Sequence, residues 1–155
     1  MASIHIKYSD NDCDSIIDDN KPFMFVNFEA LCDLLNIRSS LSCDAVYIKT
    51  RNRKILEVYF IEFKNIRKNV DEKLFSINRD KFYSSKEIMQ ETGVLNYKGV
   101  RPVFNAVIVY PQDKLNRIRS LMNRRKINVR KFKDFNSVWI ACCGESLMNR
   151  RIILR

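Results

Sequence analysis

A chain of 155 residues, 46% of them hydrophobic and including 10 Phe and 6 Tyr, is one domain's worth and can build a packed core. Such a domain buries roughly 70% of the surface its unfolded chain exposes. Only three Gly and three Pro exclude a linker-rich or low-complexity chain, and no apolar run reaches the length of about 18 residues that a membrane span requires. Met1 to Lys7 lacks the basic-then-apolar layout of a secretory signal, so a single soluble domain over residues 1–155, cytoplasmic or otherwise intracellular and without membrane association, is expected.

The opening from Asp10 to Asn20 is acidic. Phe25, Phe28, Leu31, Cys32 and Leu35 then recur at helical spacing, with Asn27 a fitting N-cap and the helix expected to end near Asn36. Two strands follow, Ser42–Lys49 and Ile55–Lys64, joined by the polar Thr50–Lys54 as an antiparallel hairpin. Asn69–Glu72 has the layout of a capping box, and an amphipathic stretch through Leu74, Phe75, Ile77, Phe82, Ile88 and Met89 stops at Gly93. The double serine at 84 and 85 is a candidate break within it. Val103–Tyr110 is nearly continuous apolar sequence, the pattern of a central strand. Asp113–Lys126 is a basic helix on Leu115, Ile118, Leu121 and Met122, and Val138–Cys143 is the last strand. The order predicts an α/β fold with a mixed sheet of about four to five strands and helices on both faces.

Charge is unevenly distributed. Residues 1–40 hold seven acids and three bases, whereas residues 41–155 hold eleven acids and twenty-five bases. A basic surplus of this kind suits a polyanion, since clustered Lys and Arg supply the salt-dependent part of nucleic-acid affinity. Nine Lys or Arg fall within residues 113–134, and Arg117, Arg124, Arg125, Lys126, Arg130 and Lys131 are the candidate backbone contacts. Phe132, Phe135 and Trp139 are candidates for base stacking, with core packing the better reading for Trp139. The five cysteines have no metal-finger spacing and read as buried free thiols.

Glu62 and Lys64 stand two apart on a strand and therefore share a face, with Phe60 on the same side and Ile61 and Phe63 behind. An acid and an ammonium in the hydrophobic middle of a chain are costly unless paired or engaged with a ligand; in isolation an ordinary half-buried strand with a solvated polar face is the better reading. Asp44, at the start of the preceding strand, is the residue that shifts the balance. Its offset from Glu62 is longer than a tight hairpin needs, so a bend or bulge is expected to bring the two carboxylates together. Converged, they form an oxygen-rich site for Mg²⁺ or Mn²⁺.

Cys43-Asp44 followed across a hairpin by Glu62-Phe63-Lys64 resembles the PD-(D/E)xK, or restriction-endonuclease-like, nucleases, with Cys43 where the family has proline. The resemblance spans about Asn27 to Tyr110. It implies a core of helix, three strands, helix and strand, with Asp44, Glu62 and Lys64 catalytic. It further implies metal ligation by Asp44, Glu62, the Phe63 backbone carbonyl and Glu29 from the first helix. Lys81 and Tyr83, on the helix after the motif, become nucleic-acid contacts. The expected activity is Mg²⁺- or Mn²⁺-dependent cleavage of DNA, with endonuclease preferred over exonuclease, RNA the alternative substrate, and a homodimer one way to cut both strands. A catalytically inactive nucleic-acid-binding protein is the competing expectation, and an interaction module using the acidic first 20 residues is a third.

Overall fold

The structure, a computed structural model, describes residues 2–7, 14–19, 23–37, 42–64, 72–96, 98–124 and 132–154. Strands β1 (Ala2–Lys7) and β2 (Asp14–Asp19) pair as a separate antiparallel hairpin. The main sheet has six strands in chain order: β3 (Phe23–Asn27), β4 (Ala45–Asn52), β5 (Ile55–Phe63), β6 (Arg101–Tyr110), β7 (Ser137–Cys142) and β8 (Ile152–Ile153). β3, β4 and β5 run antiparallel, β5, β6 and β7 are parallel, and β8 returns antiparallel. Helices α1 (Phe28–Leu34), α2 (Glu72–Glu91) and α3 (Leu115–Asn123) lie between β3 and β4, β5 and β6, and β6 and β7. A short 3-10 turn, Gln112–Lys114, leads into α3.

The expected strands and helices are all present, and six strands in the main sheet exceed the four to five predicted. β1, β2, β3 and β8 are the additions. They are short, and acids interrupt the apolar pattern of β2, so periodicity does not reveal them. Phe25, expected on the first helix, belongs to β3 instead; the helix starts at Phe28, where the Asn27 side chain accepts from Ala30 N at 3.0 Å. Asn36, with φ 56°, closes it in the left-handed region. Ser84 and Ser85 do not break α2, which runs unbroken to Glu91. Gly93, with φ 70°, follows the end of that helix as expected. The expected capping box falls on residues 69–72, of which 69–71 lie outside the described residues.

Among the described residues the helices flank one face of the sheet rather than both. Phe28 and Cys32 of α1, Phe82, Ile88 and Met89 of α2, and Leu115, Ile118 and Leu121 of α3 share one apolar cluster with Val46, Val58, Phe60, Ala106, Ile108, Val138 and Ile140. The reason is topological: β5, β6 and β7 advance across the sheet in one direction, and crossovers of one hand between them put both connecting helices on the same side. The opposite face buries Tyr47, Tyr59, Ile61, Phe63, Val107, Val109 and Trp139 against Leu147, with Met148 at its margin. β2 reaches that region through Ile16, whose backbone bonds Glu145 O and Leu147 N. Phe132, Phe135 and Trp139 are all buried, so none is available for base stacking; the core reading of Trp139 holds, with its indole N–H donating to Leu147 O at 2.8 Å. Cys32, Cys43 and Cys142 are buried free thiols as expected, whereas Cys143 is disulfide-bonded. No helix among the described residues is long and apolar enough to cross a membrane.

Candidate active site

The hairpin register resolves the long Asp44-to-Glu62 offset. β4 and β5 pair from Ala45↔Ile61 to Thr50↔Leu56, then shift by one residue to Asn52↔Ile55, leaving Arg51 as an extra residue on β4. Continuing the main register one step past Ala45↔Ile61 sets Asp44 opposite Glu62. Without the extra residue Asp44 would meet Phe63, whose side chain lies on the other face, because a slip of one exchanges the faces of a strand. The expected bulge is thus present, at the tip of the hairpin.

Backbone contacts anchor Asp44 further. Its N–H donates to Ile61 O at 3.1 Å, and its carbonyl accepts from Phe28 N at 3.0 Å, tying the start of α1 to the end of the hairpin. Its carboxylate Oδ2 accepts from Phe63 N at 2.7 Å. Cys43, next to it, is fully buried; burial pushes its thiol well above the ordinary range, so it is no nucleophile at neutral pH. Burial also pushes the Asp44 carboxyl up, with the nearby Glu62 charge second, and Phe63 N–H, Lys81 and Lys64 only partly offset them; the result is about 6.

Glu62 is 1% exposed. Its Oε1 is shared by two ammonium groups, Lys64 Nζ at 2.5 Å and Lys81 Nζ at 2.6 Å. Its Oε2 is buried without a hydrogen-bond partner among the described residues. An orphaned carboxylate oxygen in this setting carries a desolvation cost that a ligand would relieve. Burial pulls the Lys81 pKa down, but Glu62 and then Asp44 outweigh it and the group is held above its ordinary value. Both lysines retain contact with solvent, at 17% and 22% side-chain exposure, so the cluster faces outward at the carboxyl end of β5. In open sheets with parallel strands that end is where ligands bind.

No protein family, curated protein or solved structure matches this chain. The site therefore stands on its own geometry.

Asp44, Glu62 and Lys64 are brought together as expected, with Phe63 between the last two. Glu29 is not: it is exposed on the first turn of α1, and among the described residues no group of three or more His, Cys, Asp or Glu side chains could hold a metal. Lys81, expected on nucleic acid, is engaged with Glu62. Tyr83 is partly buried, with its ring edge-on to Phe135 at 5.2 Å. Arg117 and Arg124 are exposed on α3 and at its C-cap, while Arg125, Lys126, Arg130 and Lys131 lie outside the described residues.

Ser85 is a positioning residue that periodicity missed. Fully buried, it donates to Lys81 O at 2.7 Å and accepts from Cys43 N at 2.8 Å. It thereby joins the turn of α2 that carries Lys81 to the residue preceding Asp44. Its only sequence signal is a serine on the apolar side of the helix, three residues after Phe82 and three before Ile88.

Proposed function

We propose that the chain is a divalent-metal-dependent nuclease that hydrolyses phosphodiester bonds in DNA, on a core of α1, the β4–β5 hairpin, α2 and β6 in which two strands separate the helices where the restriction-endonuclease-like resemblance implies three. The observation that carries the reading is the pairing of Asp44 with Glu62, one oxygen of which is buried and unsatisfied among the described residues while two lysines hold the other. A carboxylate whose ionisation is opposed by a second one beside it suits Mg²⁺ or Mn²⁺, which relieves that repulsion. Asp44 and Glu62 would hold it, with the Phe63 carbonyl as a further oxygen donor. When bound, the cation supplies Lewis-acid charge at the phosphoryl group and lowers the pKa of an attacking water.

The protein's own groups carry the rest. Lys64, fixed by Glu62 and reaching solvent, counters charge developing on the phosphoryl oxygens or orients the water. The apolar residues behind Glu62 on its face of β5, Phe60 and Val58, hold that carboxylate in low dielectric. The exposed arginines of α3 supply backbone affinity without base readout.

Cleavage of plasmid and linear DNA, with RNA in parallel, in Mg²⁺, Mn²⁺ or EDTA tests the proposal. Divalent-dependent cutting by the wild type, absent in Glu62→Ala and Lys64→Ala, is the expected result. Cutting in EDTA, or cutting untouched by both substitutions, refutes it. A second reading, salt-sensitive nucleic-acid binding without cleavage, is favoured by one observation: two ammonium groups already neutralise the carboxylate pair and no third acid joins it among the described residues. Tight binding to duplex, branched, single-stranded DNA and RNA with no cutting of any would select it.

A further inference from the structure

Nuclease chemistry at this centre uses Lys64 but leaves Lys81 without a role. Lys81 comes from α2, a different element, yet its Nζ lies 2.6 Å from the same Glu62 oxygen that Lys64 contacts at 2.5 Å. Those contacts engage Oε1, and Phe63 N–H engages Asp44 Oδ2. One oxygen of each carboxylate, Glu62 Oε2 and Asp44 Oδ1, is left to a cation. These two acids would hold the cation, and Glu29 does not join them: among the described residues no group of three or more acids, His or Cys is gathered that could hold a metal.

We propose that the centre takes a single divalent cation and that the Lys81 ammonium supplies the positive charge a second cation would bring. This rests on the nuclease reading and deepens it. Two carboxylates and two ammonium groups are neutral together. One divalent cation then adds two positive charges, which a phosphodiester gaining its second negative charge on the way to the transition state balances. A second divalent cation would leave the centre doubly positive, whereas loss of Lys81 would leave it one charge short at the moment of reaction. Lys81 also repels the incoming cation, since like charges a few ångströms apart in a partly buried site interact strongly. Its removal therefore has opposite effects on metal affinity and on rate, which a residue that merely supports the fold does not produce.

The test is Mn²⁺ titration of the full chain by calorimetry and electron paramagnetic resonance, for wild type, Lys81→Met and Lys81→Arg, with circular dichroism to check folding. Wild type is expected to bind one Mn²⁺ per chain. Lys81→Met should bind Mn²⁺ roughly tenfold more tightly or better while cutting DNA more slowly, and Lys81→Arg, which keeps the charge, should stay near wild type in affinity. Two Mn²⁺ per wild-type chain, or weaker or unchanged affinity in folded Lys81→Met, overturns the inference. Asp44→Asn and Glu62→Gln separate it from the broader reading. If Mn²⁺ binding is absent, or survives both substitutions, the metal centre falls and this inference with it. If one Mn²⁺ binds through both acids, Lys81→Met tightens it and wild type still cuts no nucleic acid, the single-cation centre stands, and the role of Lys81 in the reaction falls with the nuclease reading.

Discussion

Asp44→Asn should stabilise the metal-free protein at neutral pH. The folded state holds the Asp44 proton up to about 6, against an ordinary carboxyl near 3.8. A group whose folded pKa is raised binds its proton more tightly in the folded chain, so its contribution is favourable below the unfolded value and is lost as pH rises through the folded one. The window is therefore pH 4 to 6, with the full penalty above it. At about 1.4 kcal/mol per pK unit the upper limit is about 3 kcal/mol, and the partial exposure of this carboxylate reduces the expected figure to about 1–2 kcal/mol. Asparagine keeps an oxygen to accept the Phe63 N–H that Asp44 Oδ2 accepts at 2.7 Å, so the substitution removes the charge and little else. Urea unfolding in EDTA at pH 4, 5, 6 and 7.5 measures it. The difference between the two proteins cancels the other carboxylates, and it should be near zero at pH 4 and favour Asp44→Asn by about 1–2 kcal/mol at pH 7.5. Mn²⁺ should then stabilise wild type and leave Asp44→Asn nearly unchanged. A variant less stable than wild type at pH 7.5, or a difference independent of pH, would refute the picture of a carboxylate destabilised by burial and then by the Glu62 charge.

Ser85→Ala should leave the buried Cys43 N–H without its 2.8 Å acceptor, costing about 1–3 kcal/mol. Thermal melts should show this as a lowering of about 2–4 °C for each kcal/mol in a domain of this size, and Mn²⁺ affinity should fall with it because Asp44 is the next residue. Arg117→Ala with Arg124→Ala should weaken DNA binding evenly across sequences and make its salt dependence shallower by about one for each phosphate no longer neutralised. Anisotropy titrations over a range of salt measure this, and an unchanged slope would remove α3 from the interface.

The parts of the site that lie along one element were legible before the fold. Glu62 and Lys64 follow from strand alternation, and Asn27 and Gly93 from the chemistry of helix ends. The central place of β6 follows from its unbroken apolar run. The parts that failed to appear depend on contacts between elements. Lys81 and Glu62 are 19 residues apart, and Ser85 and Cys43 are 42 apart; no periodicity links either pair, and on α2 both read as ordinary helical positions. The placement of α1, α2 and α3 on one face was missed for a related reason, because it follows from the order in which strands join the sheet, and an ordered string of helices and strands does not specify that. The bulge at Arg51 lies between these cases. Its necessity is visible in the spacing of Asp44 and Glu62, but its position is not, since Thr50 to Lys54 is polar throughout and any residue in it can be the extra one. Apolar alternation on both strands then selects the register, as a slip would turn Val46, Ile48, Val58 and Phe60 out of the helical core. Core packing, not any affinity between the two acids, forces Asp44 against Glu62. The same packing buries Asp44 and holds it beside the Glu62 charge, which is why the cost of the site should be measurable as stability regained when Asp44 loses its charge.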